Sequence, residues 1–285
     1  MKGKGWLAAL GVAALVGVFV PGLAVHRARA DTPQPPNVNL ALETALLGAL
    51  PAPADDPLLD ASGNPVLDAS GNPVSDPNEG FHAVIPRVFD PGHTFLVQSV
   101  WITGMGCPTS AQTFDGSSNM PLPADTACPT GDSQDVHNEG LLLAKTGPTA
   151  NFASGTAELK KVRGQSVTEL GYDLKKPLSA VDPRGSHCGA GAPRFDVITS
   201  DGVDHFVGCN SPPAMQQGTS PDWTRLRWGP TQLAAAFPPI LPGNTVSRIV
   251  IVFDEGTDTG PDNFGAAVLD NVDFNSTLVG RGATG

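Results

Sequence analysis

The chain has 285 residues, 40% of them hydrophobic and 16% charged, with 33 glycines, 28 prolines and a formal charge of −11. Its acids are mostly aspartate, with only six glutamates, and this balance argues against nucleic acid, whose backbone is bound by clustered Lys and Arg. It fits a soluble exported protein that holds calcium, and equally one that carries charge only for solubility.

The N-terminus has Lys2 and Lys4, an apolar run from Trp6 to Val25, then Ala28-Arg29-Ala30. That order predicts a secretory signal peptide over residues 1–30. The run is also near the length of a membrane span, but Pro21 and Gly22 before a small-residue site favour cleavage. Loss of Lys2, Lys4, Arg27 and Arg29 takes the formal charge from −11 to −15. There is no twin arginine, lipid-acceptor cysteine or apolar C-terminal tail. The mature chain is therefore expected to be secreted and free of the membrane.

Residues 31–80 read as a Pro- and Asp-rich linker that contributes little to a core. Only "NLALETALLGAL", residues 39–50, has a helical pattern there. The octapeptide "LDASGNPV" occurs at Leu59–Val66 and again at Leu67–Val74. Two copies are too few for a solenoid, so the repeat is predicted to be a duplicated turn or a pair of small hairpins.

From Phe81 onward short β-rich runs alternate with Gly, Pro, Asn and Asp. Strands are predicted at Phe95–Thr103, Gly140–Lys145, Ser166–Leu174, Arg194–Ser200, Val203–Gly208, Thr224–Trp228, Ser247–Phe253 and Ala266–Phe274. Asp201-Gly202 between two of them predicts a hairpin with a two-residue type I′ turn. "RIVIVF" is apolar on both faces and reads as a central strand. "TAELKKVRGQ" is compatible with a helix and is left open. The sum is an all-β fold, an antiparallel jelly-roll-type β-sandwich over residues 81–285.

Four cysteines in the exported part, Cys107, Cys128, Cys188 and Cys209, predict two disulfides. Of three connectivities, the two short loops Cys107–Cys128 and Cys188–Cys209 are favoured. Zinc lacks the paired spacing it needs. There is no nucleophile elbow, zinc-protease helix, phosphate loop or dinucleotide fingerprint. Ser186, His187 and Cys188 are adjacent, whereas the members of a catalytic triad come from separate elements. Carboxylates for glycoside hydrolysis would have to come from Glu139, Glu169, Glu255, Asp254 and Asp270, scattered over several strands.

The acidic stretch "EGTDTGPDNFG" lies between two predicted strands and reads as a solvated turn. Asp270 is different, because it sits inside a strand pattern, where Asp is disfavoured. Simple alternation puts Val268, Asp270 and Val272 on one face and Leu269, Asn271 and Asp273 on the other. A carboxylate buried between two valines needs a partner, and calcium or an arginine would supply it.

The closing "VLDNVDF", with the earlier "NEGLLLAK" (Asn138–Lys145), resembles the jelly-roll carbohydrate-binding modules and their galactose-binding-like relatives. The resemblance implies glycan binding and a structural calcium held by Asp270. Glu139 is a looser match, and Asp132 and Asp135 join the candidate ligand set from composition. Such modules stack sugars on exposed aromatics, and the mature chain has only Trp101, Trp223, Trp228 and Tyr172 to offer.

In "DWTRLRW" alternation groups Trp223, Arg225 and Arg227 on one face, and Leu226 and Trp228 toward the core. The first three are a candidate site for an acidic sugar, unless the arginines pair with the chain's own acids. A secreted, non-catalytic sandwich that binds a glycan or a cell-surface partner is the leading expectation. An extracellular structural or envelope protein and a secreted hydrolase are the alternatives.

Overall fold

The computed structural model describes residues 60, 62, 64–71, 80–109, 124–176, 192–209, 211–258 and 265–282. They form an antiparallel β-sandwich, as predicted. One sheet runs β1 (Val84–Phe89), β4 (Ser154–Leu159), β10 (Val246–Phe253), β6 (Arg194–Thr199), β7 (Asp204–Val207). The other runs β2 (Val97–Ile102), β3 (Gly140–Lys145), β11 (Ala266–Phe274), β5 (Leu170–Lys175), β9 (Thr224–Trp228), β8 (Met215–Thr219), with β12 (Thr277–Val279) paired to β11. Helix among the described residues is confined to a 3-10 turn at Thr149–Asn151 and the single turn α1 (Pro230–Leu233).

β10 is central, between β4 and β6, and sends Ile249, Ile251 and Phe253 into the core between the sheets. Residues 156–159 of the ambiguous segment belong to β4, not a helix. Their Ala, Glu and Leu favour a helix locally, but pairing on both sides with β1 and β10 overrides that weak preference. β1, β8 and β12 were not predicted. β8 reads "MQQGT" and is largely exposed at a sheet edge, so it has no apolar alternation to detect.

The β6–β7 hairpin has a different turn from the type I′ expected. Gly202 N donates to Thr199 O, and Thr199 N to Val203 O, at 2.9 Å each. Gly202 has a φ of 82°, whereas Asp201 is not left-handed. A type I turn closed by a left-handed glycine replaces the two-residue loop. In the tandem repeat, Asp60 and Asp68 each accept the backbone N–H of the serine two residues on, at 2.8 Å. The same turn chemistry thus occurs in both copies.

Cys107 and Cys128 are bridged, with Cα atoms 6.2 Å apart. Cys209 is also disulfide-bonded; Cys188 lies outside the described residues. The core centres on Tyr172, Phe195 and Trp228, whose ring centroids lie 5.2, 5.5 and 6.0 Å from one another. Tyr172 is fully buried, yet its hydroxyl donates to Pro193 O at 2.7 Å and accepts from Cys209 N at 3.3 Å. It ties the two sheets through a satisfied polar group. Tyr172→Phe keeps the ring but leaves that carbonyl and amide unpaired. It is expected to lower stability by about 1–3 kcal/mol in a denaturant melt, with unchanged far-UV dichroism.

Candidate functional site

The site is built on the face of the second sheet that points away from the core. Leu142 of β3, Asp173 and Lys175 of β5, Arg225 and Arg227 of β9, and Val268 and Asp270 of β11 all emerge there. β11 keeps its alternation only as far as Asp270. Its register against β5 shifts between Asp270 and Asp273, and Asn271 takes a φ of 45°. This is a β-bulge at a residue type that tolerates the left-handed region.

The bulge corrects the expected alternation. Val268 packs in an outer apolar cluster, while Val272 lies in the core. One extra residue lets Asp270, Asn271 and Asp273 all point outward and returns Val272 and Phe274 inward.

Asp173 is the centre of this face and is fully buried. Arg225 clamps it with Nε on Oδ1 at 2.7 Å and Nη2 on Oδ2 at 2.9 Å. Asn271 Nδ2 donates to Oδ2 at 2.8 Å. Arg227 lies 3.7 Å from the same carboxylate and 3.1 Å from Asp273 Oδ2. Arg225 also donates to the hydroxyl and carbonyl of Thr130, which pins the loop before β3 onto the sheet. Arg225 and Arg227 therefore pair with the chain's own acids. Asp173 was missed, although "LGYDLK" carries the same signal as Asp270, a carboxylate inside a strand pattern.

Asp270 is buried, as predicted. Its partners are backbone amides: Cys107 N donates to Oδ2 at 2.6 Å and Asn271 N to Oδ1 at 2.5 Å. Burial holds its carboxyl well above the usual carboxylate range, and the charges of Asp173 and Asp135 push the same way. Asp135 accepts Glu139 N on both oxygens at 3.0 Å. Burial pushes its carboxyl up to about 6, against that amide and with help from the charges of Glu139 and Asp132. Asp132 Oδ2 accepts Gly280 N at 3.2 Å, and Glu139 Oε2 accepts Gly282 N at 2.8 Å.

The four predicted metal ligands thus ring one corner, where the β11 bulge meets residues 132–139 and 280–282. A Cβ on Gly106 would fall 2.3 Å from Glu139 O and 2.9 Å from Asp270 Oδ2, so a carbonyl faces the same corner. The carboxylates alone do not close a cage. Among the described residues, the one His/Cys/Asp/Glu group with ligand atoms within 4.8 Å of one another is Cys107, Cys128 and Asp173. Two of those are bonded to each other, which leaves no zinc set.

Beside this corner lies a cleft of about 850 Å³. Leu142, Ala266 and Val268 line it from the sheet, Trp223 and Lys175 from one side, and Met105, Gly106 and Pro108 from the other. Trp223 is almost fully buried against the Cys107–Cys128 bridge, Ala127 and Val268. Lys175 Nζ stands 5.9 Å from its ring centroid and 3.9 Å from Asp222 Oδ1. Of the three residues expected to bind ligand, Trp223 alone lines the cleft. Nothing in the sequence marked Lys175, Asp222 or residues 104–108, since no motif joins segments that meet only in the fold.

No protein-family model matches the chain, and no curated protein matches it in sequence. Similar solved structures include a family 11 carbohydrate-binding module from Clostridium thermocellum in complex with a β-1,3-1,4-mixed-linked tetrasaccharide, at 13% identity and a TM-score of 0.32. That match covers 72% of this chain and 95% of the module. The enzymatically active domain of a bacteriophage CBA120 tailspike matches at 9% identity and a TM-score of 0.30, over 69% of this chain and 19% of that one. A mannan-recognising carbohydrate-binding module matches at 16% identity and a TM-score of 0.26, over 49% and 74% of the two chains.

The corner has a pH signature. Asp135 folds with its carboxyl at about 6, above its ordinary 3.8, so the folded state holds that proton more tightly than the unfolded chain. Its favourable contribution is complete below about 3.8 and is lost as pH rises through about 6. With a chelator present, the native chain's stability minus that of Asp135→Asn is expected to decline across that window in denaturant melts. A difference flat with pH would show an ordinary carboxyl.

Proposed function

We propose that the chain is a secreted, non-catalytic glycan-binding sandwich that takes a polysaccharide segment in the cleft over the second sheet. The cleft itself supports the reading: a space of about 850 Å³ floored by Leu142 and Val268, bordered by Trp223, and edged by Lys175 and Asp222. Apolar walls with a few polar groups at the rim suit a sugar, which offers C–H faces and hydroxyls to the same site. Binding is favoured over turnover by where the perturbed acids sit. Glycoside hydrolysis needs a carboxyl held protonated beside the substrate. Among the described residues, burial raises the carboxyls of Asp135, Asp270, Asp273 and Glu158, and none of these four lines the cleft.

The test is affinity electrophoresis against soluble neutral β-glucans, mannans and uronic-acid polymers. At least one is expected to retard the native chain, and Lys175→Ala with Asp222→Ala to release it while the melting curve stays in place. A panel that retards nothing, or a double variant retarded like the native chain, sinks the reading.

The same proposal includes a structural calcium at the acid corner. Asp270 and Asp135 would hold it, with the Glu139 carbonyl, and oxygen donors of this kind are what calcium takes. When bound it would supply the positive charge that Asp270 lacks beside Asp173 and Asp135. Millimolar calcium is then expected to raise the melting temperature and a chelator to lower it, with Asp270→Asn insensitive to both. A native chain whose melting is indifferent to calcium and chelator sinks the calcium reading and leaves Asp270 held by the Cys107 and Asn271 amides alone.

A further inference from the structure

Residues 104–106 and the chain just before β3 hold each other through backbone and one side chain. Gly104 N donates to His137 O at 3.1 Å, and Gly106 N to Asn138 O at 2.9 Å. Asn138 Nδ2 returns a bond to Gly106 O at 3.0 Å. Asn138 takes a φ of 50°, in the left-handed region that asparagine accepts more readily than most residues. Its side chain stands where the next amide of a strand ladder would be, and it is locked there.

The lock decides which end of the side-chain amide is left over. Gly106 O can only accept, so the atom against it is the nitrogen, and Oδ1 is turned away from it. Among the described residues, no donor reaches that oxygen, and it is not one of the orphaned side-chain atoms closed off from solvent. Asn138 is only 2% exposed and lines the cleft. The opening that Oδ1 meets is therefore the cleft.

We propose that Asn138 Oδ1 is the specificity-determining acceptor of the cleft and takes a hydrogen bond from a free hydroxyl of the bound polysaccharide. The inference rests on the glycan-binding reading and narrows it to sugars left unsubstituted at that place. Val268 pairs with Leu142 of β3 on one side and with Lys175 of β5 on the other. Leu142 and Lys175 are thus two strand spacings apart, about 10 Å. Asn138 leads into β3, so the acceptor and the Lys175 ammonium stand on opposite sides of an apolar floor. The ammonium can only donate and is served by any ligand oxygen, an ether included. Oδ1 can only accept, and an O-methyl ether, an ester or a carboxylate has no proton to give it. Such a ligand would cut Oδ1 off from water without replacing the hydrogen bond, which costs affinity. Because the Gly106 clamp fixes the oxygen beforehand, little side-chain freedom is lost when the right ligand binds.

Affinity electrophoresis of the full chain tests this against soluble β-glucan, mannan and polyuronate, each offered native and fully O-methylated. The native chain is expected to bind the hydroxyl-bearing form of its polymer about tenfold more tightly. Asn138→Gly keeps a residue suited to the left-handed backbone but removes the oxygen, and is expected to lose that preference with its far-UV dichroism unchanged. A folded variant that binds both forms more weakly at the same ratio would make Asn138 a structural residue only and overturn the proposal. Should the variant not fold, the native chain decides: the tenfold preference supports the acceptor, and equal retardation by both forms overturns it. A native chain retarded by no polymer in either form fails at the glycan reading itself, and the proposal falls with it.

Discussion

Asp173 places a full negative charge in the middle of a sheet that the chain then covers with its own loops. An ion taken out of water costs several kcal/mol unless it is matched in geometry and charge. The bidentate clamp from Arg225 supplies that match. The remaining donors of Arg225 go to Thr130, so the group that neutralises the sheet also fixes the loop above it. Arg227 extends the pairing to Asp273, and Asn271 reaches back to Asp173. Removal of either side of the clamp would leave a buried charge without its partner, so the cover and the sheet stand or fall together. The Cys107–Cys128 bridge closes the same cover from the other side, and Trp223 packs on it.

The two sheets handle their outer faces by different means. The second uses polar side chains that grip loops, and this leaves a partly open edge where the cleft forms. The first carries both valines and ion pairs on its outer face. Arg248 on Glu158 and Arg194 on Asp196 settle the charges laterally, within the face itself. Burial still raises the Glu158 carboxyl, with Arg248 opposing the rise.

Period-two alternation made the sandwich legible wherever a strand had one apolar face: Gly140–Lys145 and Thr224–Trp228 match their predicted bounds, and β10 is central as its doubly apolar run implied. Edge strands were illegible for the complementary reason, since β8 buries almost nothing and selects no pattern. In the site, Asp270 was recognisable because a carboxylate in a strand must be explained. Its neighbours were misplaced because alternation assumes one residue per step. The Asp-Asn pair was the available clue, as Asn is among the few residues that accept a left-handed φ inside a strand. The cleft had no such clue, because Met105, Lys175 and Asp222 meet only after the loops are pinned.

Residues 104–108 join these features. Gly106 packs so tightly that a Cβ there would overlap Glu139 O, and the chain passes as bare backbone. That close approach lets the next amide, Cys107 N, reach Asp270 at 2.6 Å. Cys107 is bonded to Cys128 at the same point, and Met105, Gly106 and Pro108 line the cleft. The wall that a ligand would touch is therefore held by a carboxyl whose charge state depends on its burial and on Asp173 and Asp135 nearby. Whatever sets that charge, a proton or a cation, acts on the amide one residue from the cleft. An ionised Asp270 would hold the Cys107 N–H more strongly than a neutral one, so the rigidity of the cleft wall follows from the electrostatics of the corner behind it.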